Sequence, residues 1–401
     1  MDTIQNPIAI QYIDSPADLE TFCRRIEASA WLAVDTEFLR ENTYFPKFCL
    51  VQIANAGQVA CIDPLAIEDL GPLFEILYRP GIVKIFHSAR QDLEIFYNIR
   101  NRVPAPVFDT QLAAPLLGLA DQMSYSALVS ELLGVDLIKA HTRTDWSKRP
   151  LSAAQIDYAG SDVFYLARIY LKMREKLSNL GRLDWLSDDF AALLHPEIYQ
   201  NKPDEAWQRI RGAYNLNGAL LGILKSLADW RERTAFRHNV PRNWVVKDDV
   251  MLAIARLQPT RPEELKTLRG LHERTWNRYS REICELVEKA RDNPPIMSNF
   301  KSKTARKSAQ QEVLVNFLGG VVHQIALEHS LSPAILCPKK DLDLLVCGDA
   351  DSRLLRGWRR AIVGEQLLAI LRGDKIISVH DGVVQMESRP SAGTQRLDGL
   401  G

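Results

Sequence analysis

The chain has 401 residues, 46% of them hydrophobic and 25% charged, which is typical of a soluble globular protein with two or three compact units. No run reaches the roughly 18 apolar residues of a membrane helix, and the N-terminus lacks the layout of a secretory signal. The six cysteines are scattered and form no C-x-x-C pair, which argues against a zinc site or a disulfide framework. We therefore expect a cytoplasmic protein without a membrane partner.

The net charge of zero hides an uneven distribution of charge along the chain. Residues 1–171 carry 14 Lys and Arg against 21 Asp and Glu, and the remaining residues carry the opposite excess. An acidic half can gather cations while a basic half approaches a polyanion. Offsets of this size also occur in proteins without such a division of labour.

The first 170 residues alternate strand-like and helix-like patterns, which predicts an α/β domain with a mixed sheet flanked by helices. Asn55-Ala56-Gly57 is a good turn between two apolar runs and predicts a hairpin there. Helical spacing follows the last of the early strands. The predicted strands are 31–38, 49–53, 59–62 and 82–86, and the predicted helix is 89–97.

The chain becomes helical after Pro150, where Ser152 and Gln155 form a predicted capping box for a helix over 153–177. Strand signals then nearly vanish, and two clusters of amphipathic helices follow. We predict five parts: an α/β domain over 1–200, helical domains over 203–292 and 308–375, a basic linker over 293–307, and a flexible tail over 376–401.

Asp35 and Glu37 stand two apart in an apolar strand, so both side chains leave the same face of the sheet. Two carboxylates on one buried face repel each other and lose hydration unless a cation binds there. The alternative is a half-exposed strand whose acidic side chains face solvent.

Three further residues extend this acidic pattern. Asp92 falls in the first turn of a helix, where a carboxylate is also favoured by the helix dipole. Tyr158 and Asp162 are four apart on the helix 153–177 and share one face. Taken singly, each of these residues has an ordinary structural explanation.

The combination and order of these residues resemble the three motifs of the DEDD superfamily of 3′→5′ exonucleases. The motifs are Val-Asp-Thr-Glu-Phe at 34–38, His-Ser-Ala-Arg-Gln-Asp-Leu-Glu at 87–94, and the segment 157–166. The tyrosine four residues before the last aspartate resembles the tyrosine subclass. Phe-Asp-Thr-Gln at 108–111 and the segment 145–151 are similar to the ribonuclease D family. The two helical clusters resemble its helicase-and-RNase-D C-terminal (HRDC) modules.

This resemblance implies that Asp35, Glu37, Asp92 and Asp162 hold two divalent metal ions and that Tyr158 orients the attacking water. Carboxylates are hard oxygen ligands, which favours Mg²⁺ or Mn²⁺ over zinc. The implied substrate is RNA with a free 3′ end, tRNA precursors above all, and the implied products are nucleoside 5′-monophosphates.

Other residues are candidates for substrate contact. Arg143 lies in a basic loop before the third motif, and Phe38 and His87 adjoin the motif carboxylates in the sequence. Arg274 and Arg278 lie one helical turn apart beside aromatic residues, a pattern that suits an RNA backbone. Each of these residues could equally be part of a solvated surface or of the core.

Three rival functions remain open. The same site could act on DNA 3′ ends, because no residue pattern reveals a contact to the RNA 2′-hydroxyl. The chain could bind RNA without cleaving it, although all five motif residues are present. A helicase accessory role is suggested only by the HRDC-like modules. No Gly-x-x-x-x-Gly-Lys-[Ser/Thr] loop occurs, so we expect no nucleotide cofactor.

Overall fold

The computed structural model describes residues 9–137, 144–292 and 307–389. Eight strands occur in these residues, and six of them form one sheet with the order β1-β4-β3-β2-β5-β6. The strands are β1 (Ile10–Ile13), β2 (Trp31–Leu39), β3 (Lys47–Ala54), β4 (Val59–Ile62), β5 (Val83–Phe86), β6 (Val107–Asp109), β7 (Lys375–His380) and β8 (Val383–Ser388).

Helices make up most of the remaining structure, and none within the described ranges is both long and apolar enough to cross a lipid bilayer. The helices are α1 (Pro16–Ile26), α2 (Gly71–Leu77), α3 (Arg90–Arg100), α4 (Thr110–Ala113), α5 (Tyr125–Leu133), α6 (Ala153–Asn179), α7 (Ser187–Leu193), α8 (Gly218–His238), α9 (Arg242–Val245), α10 (Asp248–Leu257), α11 (Glu273–Asp292), α12 (Ala309–Glu328), α13 (Pro333–Leu336), α14 (Lys339–Val346), α15 (Gly357–Arg359) and α16 (Glu365–Arg372).

The six-stranded sheet is mixed, as the sequence predicts. β2 lies inside the sheet and pairs antiparallel with β3 and parallel with β5. The turn between β3 and β4 is closed by Asn55, whose side-chain oxygen accepts hydrogen bonds from the backbone of Gly57 and Gln58. The residues of β3 and β4 are almost all buried, which explains their continuous apolar runs.

Helix α6 begins where the capping box predicts it. The Ser152 hydroxyl accepts from the backbone of Gln155 at 3.3 Å, and the Gln155 side chain accepts from the backbone of Ser152 at 2.9 Å. These reciprocal bonds satisfy amide groups that a helix start otherwise leaves unpaired. The prediction of a helix over 153–177 is confirmed.

The chain divides by its contacts into two compact units. The first unit comprises the described residues of Met1–Val107, Lys139–Ala167 and Leu193–Lys301, and the second those of Phe108–Ile138, Arg168–Ala192 and Ser302–Gly401. This grouping cuts across the predicted five-part division, which stays a prediction. The predicted basic linker lies almost wholly outside the described residues, as does the tail after Arg389.

Contacts between distant segments of the chain hold the second unit together. The Arg182 guanidinium donates to the carbonyl of Leu116 at 2.7 Å and to that of His329 at 2.6 Å. The rings of Trp185 and Trp358 stack with their centroids 4.6 Å apart. The segment around 182–185 therefore packs with residues that lie far along the chain.

The prediction of a flexible tail from residue 376 is wrong over 376–388, where β7 and β8 form an antiparallel hairpin. Asp381 and Gly382 both have positive φ values, 50° and 77°, as the two central residues of a tight hairpin turn require. The Asp-Gly pair is the local signal for this turn. The prediction of a flexible tail followed the composition of the segment and did not use this pair.

Candidate active site

Strand β2 carries two carboxylates toward one face of the sheet. Asp35 lies opposite Gln52 of β3, and Glu37 lies opposite Leu50, so all four side chains share that face. The pairing becomes irregular directly after Glu37. Both carboxylates are half-buried, which argues against the alternative of a half-exposed strand whose acidic side chains face solvent.

Helix α6 brings a third carboxylate to the same place. Carboxylate oxygens of Asp35, Glu37 and Asp162 all lie within 4.8 Å of one another, an arrangement that could hold a metal ion. Tyr158, one turn before Asp162, donates its hydroxyl hydrogen bond to that aspartate. These four side chains therefore lie together, and the roles that the sequence motifs imply for them stay predictions.

Close packing holds α6 against the sheet. A Cβ atom on Gly160 would lie 2.6 Å from Cδ1 of Ile10 in β1, closer than non-bonded carbon atoms approach. Gly160 stands between Tyr158 and Asp162 in the sequence, so its missing side chain sets the distance of both from the sheet. Any larger residue at 160 must displace the Ile10 side chain, the helix or β1.

An ion pair with a buried carboxylate fixes the segment that leads into α6. The Arg149 guanidinium donates to both carboxylate oxygens of Asp63, at 2.5 and 2.6 Å, and to the carbonyl of Cys49 at 2.7 Å. Tyr12 donates to the same carboxylate at 2.6 Å. Because Asp63 directly follows β4, this cluster ties the start of the helix to the sheet.

Asp92, the fourth predicted ligand, is held differently. It is buried in the first turn of α3 and accepts a hydrogen bond of 2.5 Å from the hydroxyl of Thr36. It lies outside the group of three whose oxygens converge within 4.8 Å. Its charge nevertheless reaches Glu37, whose pKa it helps to raise. Asp92 thus borders the cluster and is positioned by a residue of β2 itself.

The electrostatics of the cluster favour a bound cation. Burial raises the pKa of Glu37 to about 9, and the nearby charges of Asp35, Asp162 and Asp92 add to the shift. Burial also raises the pKa values of Asp35 and Asp162, the latter with a contribution from the charge of Asp35. Such a cluster stays fully ionised at neutral pH only with positive charge among its oxygens.

The donor set fits a hard divalent cation. All the candidate ligands are carboxylates, and the three converging groups include neither sulfur nor imidazole. Oxygen-only sites suit Mg²⁺ and Mn²⁺, whereas zinc prefers sites that contain nitrogen or sulfur. The residues present therefore match the divalent metal that the sequence motifs imply.

The remaining sequence candidates are placed less centrally. Phe38 is half-buried directly after Glu37, with the Arg40 guanidinium 5.9 Å from the centre of its ring. His87 is half-buried directly after β5. Arg274 and Arg278 are exposed on α11, where Arg278 lies 3.2 Å from the ring nitrogen of His238. Arg143 lies outside the described residues.

Two residues at the site are not among the candidates that the sequence predicts. Thr36 lies between the two acidic residues of its motif, and nothing in the motif indicates a role for its hydroxyl. Gln52 is fully buried opposite Asp35, and its amide has no hydrogen-bond partner in the part of the chain that the structure describes. A glutamine inside an apolar run, Leu-Val-Gln-Ile, is the signal that could have drawn attention to it.

Comparisons with known proteins agree with this geometry. A family model described as a 3′-5′ exonuclease matches residues 10–178, and one described as an HRDC domain matches 221–287. A ribonuclease D of Granulibacter bethesdensis is 38% identical over 374 residues, covering 92% of this chain and 94% of the relative. A ribonuclease D of Sphingobium indicum is 38% identical over 377 residues, covering 92% and 96%.

Solved structures lead to the same family. The crystal structure of Escherichia coli RNase D, described as an exoribonuclease involved in structured RNA processing, has a TM-score of 0.78 and 30% identity. The similarity covers 91% of this chain and 99% of that one. A Bifidobacterium adolescentis protein shares the fold, with a TM-score of 0.69 at 22% identity over 90% of this chain and 97% of that one. The chain therefore belongs to the ribonuclease D family of 3′→5′ exoribonucleases.

Proposed function

We propose that Asp35, Glu37, Asp92 and Asp162 hold two divalent ions, Mg²⁺ or Mn²⁺, at which RNA is shortened from its 3′ end. The products are nucleoside 5′-monophosphates, released one at a time. The observation that carries this proposal is the convergence of three half-buried carboxylates within 4.8 Å, with pKa values raised by burial. Carboxylates that are buried this close together repel one another, and a bound cation offsets that repulsion.

The substrate proposal is supported by the relatives. The curated relatives carry the name ribonuclease D, and the similar E. coli structure is described as acting in structured RNA processing. We propose that this chain likewise trims structured RNAs with free 3′ ends and that tRNA precursors are among them. The tRNA assignment comes from family resemblance.

Divalent ions in a carboxylate site supply a nucleophilic water at neutral pH and stabilise the charge that develops on the phosphate and the leaving oxygen. The protein's own groups then determine orientation. The Thr36 hydroxyl fixes the Asp92 carboxylate, and the packing of Gly160 against Ile10 allows α6 to lie close to the sheet. Each ligand is thereby held on a rigid element, as precise catalysis requires.

Tyr158 acts as a hydrogen-bonding group that keeps its own proton. Burial raises its pKa above the ordinary tyrosine value, and the charges of Asp162, Glu37 and Asp35 raise it further. The phenol is therefore protonated at neutral pH and does not serve as the base. Tyr158 stands one helical turn before Asp162, and its hydroxyl, which donates to that aspartate, is suited to accept a hydrogen bond from the attacking water and so to orient it.

The test follows a 5′-labelled single-stranded RNA in Mg²⁺ and in EDTA. A DNA of the same sequence and an RNA blocked by a 3′-phosphate serve as comparisons. We expect a ladder that shortens from the 3′ end of the unblocked RNA only, and that EDTA abolishes. Equal cleavage of DNA would refute the RNA preference. Folded protein that cleaves none of these substrates would refute catalysis and favour a binding role.

A further inference from the structure

A groove of about 890 Å³ lies within the first compact unit, beside the elements that carry the carboxylates. Its lining includes Arg40, the residue directly after β2, and Arg90, the first residue of α3. It also includes Arg209, Phe236 in the last turn of α8, and Arg242 at the start of α9. Part of the lining therefore continues the strand and the helix that hold Asp35, Glu37 and Asp92. We call this feature the arginine groove.

The arginine groove is strongly basic. Its lining contains four arginines and a single carboxylate, that of Glu94. Arg40 pairs with Glu94 at 2.7 Å. Arg242 lies 3.3 Å from a second carboxylate, that of the buried Glu232. Arg90 and Arg209 are exposed and pair with no carboxylate in the described part of the chain. Two guanidinium groups are thus free to meet an anion from outside.

Aromatic rings interrupt this basic surface. Tyr44, Phe45 and Phe236 form a three-ring cluster with edge-to-face contacts and centroid separations of 5.2 to 5.9 Å. Phe236 leaves 50% of its surface exposed. Tyr44 is locked in place, since its hydroxyl donates to Glu232 at 2.7 Å and its backbone donates to the side chain of Asn239 at 3.0 Å. A packed aromatic cluster in which Phe236 stays half exposed is suited to stack on a planar group.

We propose that the arginine groove binds the single-stranded nucleotides of the RNA substrate that lie on the 5′ side of the scissile phosphate. Free guanidinium groups beside aromatic rings are the combination that binds single-stranded nucleic acid, the cations taking phosphates and the rings stacking on bases. The volume falls within the roughly 300–1,000 Å³ of pockets that enclose small ligands, enough for a few nucleotides but not for a duplex. The inference rests on the proposed function, because the groove adjoins the carboxylates only through β2 and α3.

Binding can be measured without catalysis. The intact protein is titrated in EDTA against 5′-labelled RNA oligomers of two, four and eight nucleotides, at several salt concentrations. The test variant is Arg90→Ala with Arg209→Ala. The matched control is Arg24→Ala with Arg25→Ala, which removes the same charge from exposed positions on α1, away from the groove. Circular dichroism and melting curves verify that each variant folds.

The expected change affects how RNA affinity depends on salt concentration and on RNA length. Each lost phosphate contact lowers the slope of log K against log salt by about 0.7 for a single strand, so the double variant should lose about 1.4. Its affinity for the octamer should fall at least tenfold at low salt, and the gain of the octamer over the dimer should shrink. The control should retain both the slope and the length dependence.

The aromatic part has its own variant. Phe236→Leu keeps the residue apolar but removes the stacking surface, and since Phe236 is exposed the fold should tolerate the change. Octamer affinity should fall roughly fivefold or more with the salt slope unchanged, because stacking carries no charge.

Two outcomes would overturn the inference. One is a test variant that matches the control at every RNA length and salt concentration. The other is wild-type protein whose groove-dependent affinity for a mononucleotide equals that for the octamer, which would make the groove a mononucleotide site. Failure of the proposed function looks different. In that case groove-dependent RNA binding in EDTA persists, and no RNA is shortened when Mg²⁺ is added.

Discussion

The raised pKa of Glu37 predicts an unusual stability profile for the metal-free protein. An ordinary glutamate has a pKa of 4.5, and burial together with neighbouring negative charge raises that of Glu37 to about 9. Between these two pH values the folded state holds a proton that the unfolded state has released. The stabilising effect is complete below pH 4.5 and is lost as pH rises toward 9, so the free energy of unfolding falls with increasing pH.

The size of this effect follows from proton linkage. One retained proton lowers the free energy of unfolding by about 1.4 kcal/mol for each pH unit in that window. From pH 5 to pH 8 the free energy of unfolding therefore falls by about 4 kcal/mol at most because of Glu37. The fall is about 2 kcal/mol if water enters the site and reduces the pKa shift. Glu37→Gln removes the ionisable group and keeps the shape, so this part of the loss should disappear.

Urea unfolding in EDTA at pH values from 5 to 8 measures the difference directly. We expect the wild-type protein to lose stability more steeply than Glu37→Gln, and the two curves to separate increasingly at high pH. Glu20→Gln, at an exposed position on α1, is the control and should follow the wild type. Added Mg²⁺ should restore the wild type more than Glu37→Gln. Parallel curves for the wild type and Glu37→Gln would refute the proposed electrostatics of the cluster.

Three further predictions concern the elements that position the site. Tyr158→Phe should lower the rate of RNA shortening on the order of a hundredfold through misorientation of the water, with metal binding by calorimetry unchanged; an unchanged rate would contradict its role. Gly160→Ala should lower stability by about 1–3 kcal/mol in urea unfolding and also lower activity, because the new methyl group meets Ile10; wild-type values for both would contradict the packing argument. Arg149→Lys keeps the charge but loses the paired hydrogen bonds to Asp63, so the free energy of unfolding measured in urea should drop by about 2 kcal/mol. An unchanged free energy of unfolding would show that the paired bonds contribute little.

Local patterns predicted the acidic face well. The two-residue period of a strand places Asp35 and Glu37 on one side, and the helical period places Tyr158 and Asp162 together. Both relations depend only on neighbouring residues, and both hold in the structure. The capping box at Ser152 likewise fixed the start of α6.

Relations between distant segments could not be predicted in the same way. Nothing near Thr36 indicates that its hydroxyl meets Asp92, 56 residues away, and nothing near Arg149 indicates its pairing with Asp63. The arginine groove combines residues from 40 to 243, so no local window contains its pattern. These features arise from the packing of elements that are distant in the sequence, and the sequence alone did not indicate them.

The hairpin of β7 and β8 was predicted wrongly for a different reason. No residue of either strand is buried, and the apolar alternation is short, as at Val384 and Met386 of β8 with Gln385 between them. The surrounding Gly, Ser and Arg residues favoured an unstructured tail, although the Asp-Gly turn was present at 381–382. Turn chemistry was here a better guide than composition.

The central claim is that the carboxylate cluster is the metal-dependent catalytic centre. The most direct measurement compares the initial rate at which wild-type protein and Asp35→Asn shorten a 5′-labelled RNA in saturating Mg²⁺. The amide cannot replace a charged ligand, so the variant should lose several kcal/mol of transition-state stabilisation by the metal ions. It should therefore be slower by a factor of roughly 1,000 or more. Its RNA binding in EDTA should stay close to that of the wild type, and its circular dichroism spectrum should show a folded protein. A folded Asp35→Asn protein with full activity would contradict the assignment.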